Sequence, residues 1–326
     1  GLVNEGCHFN LFFFQGTRSE DLSIDGRVNT YFLDYLKLNF FKKIQFLNNF
    51  IKNKKCKMIS FGFSADIVNI ILTRKHISIT SVRGNLFKNY KYDFGFLGVL
   101  LSWLHYIVIS RSNHILSMSV SMYDQILKIT KRESIIIGNF IDELNLKKYK
   151  LNKVKEKKNV RFIFIGSLSK RKNVIFLINE FADLVKIDKA VSLDIVGLGP
   201  KKNDCENLVK KLNLSSFIKI HGFIKNPYQL LNESDVLVLP SHSEGVSRAS
   251  LEALFFNKIC VMFDIDANNE LIKNGFNGYL SKRNEDFLEC LIKSTHLSKK
   301  VNYNLLPRKF QQKNQVNVLL KILTKL

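Results

Sequence analysis

Short apolar runs alternate with longer amphipathic stretches along the chain, the pattern of βαβ units that feed parallel sheets. In the first half, strand-like runs lie at residues 8–14, 58–61, 76–82, 114–117 and 134–137. Helical periodicity lies between them, at 29–38, 40–52, 65–72, 95–110 and 120–129. The second half is more regular. Strands are expected at 160–166, 192–197, 217–222, 236–240, 259–263 and 278–280, and helices at 173–185, 204–212, 226–232, 246–256, 268–273 and 284–293. Between the halves, residues 144–158 (LNLKKYKLNKVKEKK) are basic and lack a wide apolar face, as a linker does. The pattern predicts two doubly wound α/β domains in tandem, and such sheets bind ligands beyond the carboxyl ends of their strands.

Composition narrows the picture. The 326 residues are 46% hydrophobic and include 27 Phe, enough for two cores, which excludes a disordered chain or a disulfide-stapled miniprotein. The longest apolar stretch, residues 94–109 (FGFLGVLLSWLHYIVI), is shorter than the ~20 residues of a membrane-spanning helix and contains His105, so it reads as a buried or interfacial helix. Residues 1–16 have neither a basic start nor a small-residue cleavage site, so no signal peptide is expected. Five scattered cysteines (Cys7, Cys56, Cys205, Cys260, Cys290) without a C-x-x-C pair fit a reducing compartment and no cysteine-rich zinc site. A surplus of 50 Lys+Arg over 28 Asp+Glu, net +22, leaves three partners open: nucleic acid, an anionic membrane surface, or anionic substrates such as nucleotide sugars.

Candidate chemistry concentrates in residues 236–256, VLVLPSHSEGVSRASLEALFF. A buried strand ends at Pro240, a polar loop follows, and a helix is expected from Val246. Glu244 and Glu252 stand eight positions apart, about 12 Å along a helix, too far to share a proton but suited to the two ends of an elongated hydroxyl-bearing ligand. Between them, amides after Gly245 would open the helix as an anion site. The competing reading makes Glu244 a cap and Glu252 a solvated helix charge. Residues 164–173 (FIGSLSKRKN) form a strand, then Gly166, then a basic loop in which Lys170, Arg171 and Lys172 suit a diphosphate. Basic loops are also common in so cationic a chain. Gly197-Leu198-Gly199 reads as a tight strand exit, since the third glycine of a dinucleotide fingerprint is missing. Gly222, Phe223 and Ile224 offer amides and an apolar wall for a planar base, or an ordinary strand end. Ser241-His242-Ser243 lacks the context of a nucleophile elbow. No metal site is expected, and Asp264-Ile265-Asp266 reads as the start of a loop.

Together these blocks resemble glycosyltransferase family 4, whose GT-B fold sets two doubly wound Rossmann-like domains facing a central cleft. The blocks are G-x-L-x-x-x-K (Gly166, Leu168, Lys172), V-G-x-G (196–199), Gly222-Phe223, S-D-V-x-V-L-P-S (234–241), E-G-x-x-R-x-x-x-E-A (244–253) and N-x-E-L-I-x-x-G-x-N-G-Y-L (268–280). The resemblance implies domains at 1–143 (acceptor), 144–158 (linker) and 159–300 (nucleotide sugar), with 301–326 a helical segment returning to the first domain. It implies retaining transfer of a sugar from a nucleoside diphosphate-sugar, a UDP-sugar favoured, with no cofactor or metal required. Glu244 would contact donor-sugar hydroxyls and Glu252 the ribose. Lys172 would stabilise the leaving diphosphate with the amides of Gly245 and Val246. Arg248 would either add charge there or position the helix. The E-G-x-x-R form resembles enzymes that build O-antigen or capsule, on saccharide or lipid-linked acceptors.

Three departures from the family pattern stand out. Ser167 occupies the place of an arginine, whose charge Arg171 or Arg248 would replace. Phe61 occupies the place of a histidine, with Arg83 the nearest polar group. The first strand and glycine loop of the acceptor domain are expected to be missing ahead of Gly1. The alternative function is a non-catalytic or truncated donor-binding protein of the same fold. A nucleic-acid binder is disfavoured because no recognisable module is present. The expected location is cytoplasmic and peripheral on the membrane's inner face, with Lys42–Lys43 and the basic stretch 52–57 turned to an anionic leaflet.

Overall fold

The computed structural model describes residues 6–8, 10–13, 27–33, 39–72, 76–150, 159–265, 267–282, 284–299 and 304–325. The expected start of the acceptor domain, residues 34–38 of the expected helix, residues 151–158 of the basic stretch and Asp266 lie outside them. The chain divides into two compact units. The first comprises Gly1–Phe87, Val99–Ile137 and Lys313–Leu326, and the second Lys88–Gly98 and Gly138–Gln312.

In the first unit, β1 (Asn10–Phe13) and β2 (Asn29–Phe32) form a parallel pair. A helix was expected over 29–38, but Asn29–Phe32 is extended. Tyr31 stacks on Phe12 and Phe32 on Phe13, each pair with ring centroids 4.8 Å apart. Cross-strand aromatic pairing of this kind outweighs a weak helical period. After α1 (Phe40–Ile51), the strands β3 (Lys57–Ser60), β4 (Ile77–Val82), β5 (His114–Ser117) and β6 (Ile135–Ile136) form a parallel sheet in sequence order. Its connections are α2 (Phe63–Ile71), α3 (Leu86–Phe94), α4 (Phe96–Ile109) and α5 (Val120–Thr130). The pattern had not anticipated α3. Asp66 on α2 is the hub of a buried polar network. It accepts from Ser60 Oγ at 2.5 Å and pairs with His105 Nε2 at 2.7 Å. Asn69, also on α2, donates to Ser60 Oγ at 2.8 Å and bonds His76 Nε2 at 2.8 Å. Lys43 is buried in α1, whereas Lys42, Lys52, Lys54, Lys55 and Lys57 are exposed, and Lys57 Nζ donates to the Leu323 carbonyl.

The second unit contains α6 (Glu143–Leu146) and a 3-10 turn (Lys147–Tyr149), followed by a six-stranded parallel sheet. Its elements are β7 (Val160–Ile165), α7 (Val174–Ile187), β8 (Val191–Val196), α8 (Lys202–Lys211), β9 (Ile218–Gly222), α9 (Tyr228–Glu233), β10 (Val236–Leu239), α10 (Arg248–Phe255), β11 (Ile259–Phe263), β12 (Gly278–Ser281) and α11 (Phe287–Ser298). The central strands β10 (VLVL) and β11 (ICVMF) are continuous apolar runs buried at every position, as strands covered on both faces are. The order β12-β11-β10-β7-β8-β9 reverses direction between β7 and β10, which is the position where doubly wound sheets bind ligands. The helix expected at 268–273 is instead a series of turns. Asn268 Nδ2 donates to the Phe263 carbonyl at 2.8 Å, and Asn277 Oδ1 accepts from the Lys273 amide at 2.7 Å, so side chains take the bonds a helix would make. The terminal α12 (Gln312–Lys325) belongs, from Lys313 on, to the first unit. Among the described residues no helix is long and apolar enough to cross a membrane, and no group of three or more His, Cys, Asp or Glu is arranged to hold a metal ion. All five cysteines are free.

Candidate active site

The loop after β7 is shaped by the loop after β8. The Gly166 amide donates to the Val196 carbonyl at 3.0 Å, and the Leu168 amide to the Leu198 carbonyl at 2.9 Å, with Leu168 fully buried. This approach leaves no room for a side chain at Gly197. A Cβ there would sit 1.8 Å from the Gly166 carbonyl oxygen, and φ is +150°. At Gly199 a Cβ would sit 2.4 Å from the Leu168 oxygen. The V-G-x-G block is therefore the tight strand exit its spacing suggested. A turn over Ser169–Asn173 then folds the chain back, with the Asn173 amide donating to the Ser169 carbonyl and Asn173 left-handed at φ +58°. The turn brings the Lys172 side chain over Gly166.

The loop after β10 delivers the opposite charge to the same place. Glu244 Oε1 accepts from Lys172 Nζ, and Arg171 Nη1 lies 3.8 Å from Glu244 Oε2. The Arg171 guanidinium also donates to the Ser243 carbonyl at 2.9 Å, and the His242 amide donates to the Arg171 carbonyl at 2.9 Å. The carboxylate and both cations are largely withdrawn from water: Glu244 is 9% exposed, Lys172 12% and Arg171 26%. Two cations thus converge on one carboxylate where β7 and β10 end. Lys170, the third residue of the basic run, is exposed.

Four residues outside the candidate set hold this loop and the helix after it. Ser243 Oγ donates to Asn89 Oδ1 at 2.9 Å, and Tyr92 stacks on His242 with centroids 5.5 Å apart and planes 5° from parallel. Both partners lie on α3, in the segment Lys88–Gly98 that packs with the second unit. Asn139 Nδ2 donates to the Val246 carbonyl at 3.0 Å, and Tyr228 bonds Glu252 from α9. No local pattern marks Asn89 or Tyr92, which lie about 150 positions before the residues they hold. Ser241 is fully buried and its hydroxyl meets no hydrogen-bond partner, while His242 is taken up by stacking, so the two make no nucleophile pair.

Helix α10 begins two residues later than expected. Ser247 is its N-cap and accepts from the Ser250 amide, so Gly245 and Val246 lie in the loop and the helix opens at Arg248. Glu252 is not solvated. Its side chain is 8% exposed and bonds Arg248 Nε at 3.1 Å. Burial pushes the Glu252 pKa up, against the opposing pull of Arg248 and of the Tyr228 hydroxyl. Of the two roles open to Arg248, its placement is on Glu252, one helical turn away, rather than beside Lys172. Arg171 is the arginine that stands with Lys172, while Ser167 Oγ faces Ser169 Oγ at 3.3 Å. At the end of β9, the Gly222 carbonyl accepts from the Gly197 amide at 2.7 Å, Phe223 is exposed and Ile224 half-buried. In the first unit the Arg83 guanidinium stacks over the Phe61 ring at 5.6 Å.

Comparison with known proteins agrees with this architecture. The family model described as "Glycosyl transferases group 1" matches residues 147–315. An Escherichia coli relative, UDP-Gal:alpha-D-GlcNAc-diphosphoundecaprenol alpha-1,3-galactosyltransferase, is 34% identical over 143 residues. The match covers 41% of this chain and 36% of that protein, so the chain matches little more than a third of the relative's length. Among solved structures, sucrose-phosphate synthase of Thermosynechococcus elongatus superposes with a TM-score of 0.80 at 13% identity, over 99% of this chain and 90% of that one. HepE of Anabaena, solved in complex with UDP, gives 0.72 at 16% identity over 98% and 100%. At these identities the likeness is one of fold, and the fold is GT-B. With the family model spanning more than half of its residues, the chain belongs to the glycosyl transferases group 1 family.

Proposed function

We propose that this protein is a retaining glycosyltransferase of family 4 that moves a sugar from a nucleoside diphosphate-sugar, with UDP as the nucleotide, to a saccharide or lipid-linked oligosaccharide acceptor in surface polysaccharide assembly. The observation that carries the reading is the convergence of Lys172, Arg171 and Glu244 at the switch point of a parallel sheet, inside the segment the family model matches. When the glycosidic C–O bond of a donor breaks, its electron pair goes to the diphosphate. Fixed cations in a site withdrawn from water stabilise that charge as it develops, without having to reorganise. Lys172 and Arg171 supply this charge, so the reading requires no resident cofactor. Glu244, freed from Lys172 by an arriving diphosphate, turns its carboxylate to donor-sugar hydroxyls. Glu252, buried and oriented by Arg248 and Tyr228, accepts from the ribose, and Gly222, Phe223 and Ile224 border the base. The loop amides of Gly245 and Val246 complete the diphosphate contacts.

The UDP complex of HepE and the diphosphoundecaprenol-linked substrate in the name of the E. coli relative favour UDP as the nucleotide and a lipid-linked acceptor. They also favour work at the cytoplasmic face of a membrane. Calorimetric titration of the full chain with UDP, alongside Glu252→Ala and a transfer assay with a panel of UDP-sugars, tests the proposal. Binding lost in Glu252→Ala and transfer with retained anomeric configuration is the expected result. Binding without transfer to any saccharide acceptor would instead favour a donor-binding protein, and failure of the unmodified chain to bind any nucleoside diphosphate would refute both.

A further inference from the structure

Helix α4 is built inside out. Its inward face carries Gly98, Ser102, His105, Tyr106 and Ile109, all buried. Its outward face carries Phe96, Leu97, Leu100, Trp103, Leu104 and Ile107, of which Phe96 is 91% exposed, Leu97 68% and Leu100 60%. Positions 96, 100, 103 and 107 follow the helical repeat, so these side chains form one continuous apolar stripe. The orientation is pinned at both ends of the helix. His105 bonds the buried Asp66 at 2.7 Å. A Cβ on Gly98 would sit 1.9 Å from the Tyr90 carbonyl oxygen, so α3 and α4 meet backbone to backbone there. Rotating the stripe inward would break the first contact and drive a side chain into the second.

We infer that this face of α4 is a docking surface for an anionic lipid bilayer, on which the helix lies flat with its stripe among the acyl chains just below the headgroups. The geometry suits that posture. Fourteen residues extend about 21 Å, too short to cross a ~30 Å hydrocarbon core but long enough to lie in its surface. The stripe holds the chain's single tryptophan, a residue that favours the membrane–water boundary. Charge selects lipid as the occupant. Helix α4 has no charged residue, and the charged residues flanking it in sequence, from 88 to 111, are Lys88, Lys91 and Arg111 against Asp93, all exposed, in a chain of net charge +22. The choice of lipid also rests on the proposed lipid-linked acceptor, which a bilayer would present to a docked enzyme.

Because Trp103 is alone, its fluorescence reads the contact directly. The full chain is titrated with phosphatidylglycerol-containing vesicles, with pure phosphatidylcholine vesicles, and with vesicles bearing brominated acyl chains. The inference expects a blue shift with anionic vesicles, weaker partitioning onto neutral ones, and quenching by the bromines. The double variant Leu100→Ser/Leu104→Ser, which alters only exposed side chains and keeps Trp103, should partition at least tenfold more weakly. No shift with anionic vesicles, or a shift unchanged in the double variant, overturns the inference. So does a shift that grows with protein concentration in the absence of lipid, because that would mark the stripe as an interface between copies. UDP binding is measured in the same samples: its retention without vesicle binding sinks the docking surface alone, and its absence sinks the glycosyltransferase reading.

Discussion

Replacing Lys172 with methionine separates two roles for one ammonium: partner to Glu244 and anchor for a diphosphate. The side chains of the pair are 12% and 9% exposed, so removing the cation strands a nearly buried carboxylate with Arg171 3.8 Å away, beyond hydrogen-bond distance. Stranding a fully buried charge costs about 3–5 kcal/mol. Arg171 and the residual exposure bring the expected cost to about 2–3 kcal/mol, a fall in melting temperature of about 3–4 °C for a chain of 326 residues. The double variant Lys172→Met/Glu244→Gln removes the stranded charge as well and should recover most of that loss.

Affinity for UDP should order the variants differently. A charge-assisted hydrogen bond to phosphate contributes about 1.5–3 kcal/mol, so the double variant should bind UDP about 10- to 150-fold more weakly than the unmodified protein. The single variant should bind more weakly still, because an uncompensated Glu244 carboxylate repels the incoming diphosphate. Melting is followed without nucleotide and affinity by calorimetry. If the double variant regained both stability and unmodified UDP affinity, Lys172 would be only a counterion to Glu244, and its assignment to the diphosphate would fall.

Glu252 predicts opposite pH responses for binding and stability. Its folded pKa lies above the unfolded value, so its contribution to stability is complete below the unfolded pKa and is lost as pH rises through the folded one. Ribose binding needs the carboxylate, so affinity for a UDP-sugar, whose diphosphate keeps its charge over this range, should fall as pH drops from 7.5 toward 4.5; Glu252→Gln should bind weakly with no such slope. Gly197→Ala would force a Cβ to 1.8 Å from a backbone oxygen and should lower stability by about 3 kcal/mol or more, whereas a Cβ at Gly166 meets the Lys172 side chain at an ordinary 3.6 Å, so Gly166→Ala should melt nearly normally. Asp66→Ala leaves His105 and the Ser60 hydroxyl without their shared acceptor and should cost about 2–4 kcal/mol. Hydrogen exchange should accelerate in α2 and α4, while UDP affinity stays within twofold.

Much of the second unit is legible in the sequence because a strand buried on both faces must be apolar at every position. VLVL and ICVMF can hardly be anything else once turn residues bound them, and VRFIFI departs only at Arg161, which pairs with Asp194 and Glu233. The candidate site is legible for a related reason: its charged residues follow directly on those strands, so knowing the strands places Lys172 and Glu244. What escapes depends on partners remote in sequence or on side-chain bonds that imitate a helix. Residues 29–32 become a strand because Phe12 and Phe13 are there to stack on. Residues 268–273 fail to become a helix because Asn268 and Asn277 satisfy the backbone in turns. Helix α10 starts at Arg248 because Ser247 offers a cap that Val246 cannot. Asn89 and Tyr92 reach the Glu244 loop only through tertiary packing.

Helix α4 marks the limit of periodicity as evidence. The run 94–109 is recognisable as a helix with two faces, one of large apolar side chains and one of Gly98, Ser102 and His105, and a helical period is unchanged when the helix is turned about its axis. The usual rule would bury the large face. What decides otherwise is Asp66, 39 positions earlier on α2, itself held by Ser60 from β3. A buried aspartate without a partner is costly, and His105 is the residue that removes that cost, so the polar face turns inward and the apolar face has nowhere to go but out. The exposed stripe is therefore the consequence of a polar contact beneath it rather than of a failure to pack. This links the two halves of the membrane inference. Asp66→Ala should loosen α4 and weaken vesicle binding although it touches no residue of the stripe, whereas the Leu100→Ser/Leu104→Ser variant should weaken vesicle binding while hydrogen exchange in α2 and α4 stays as it was.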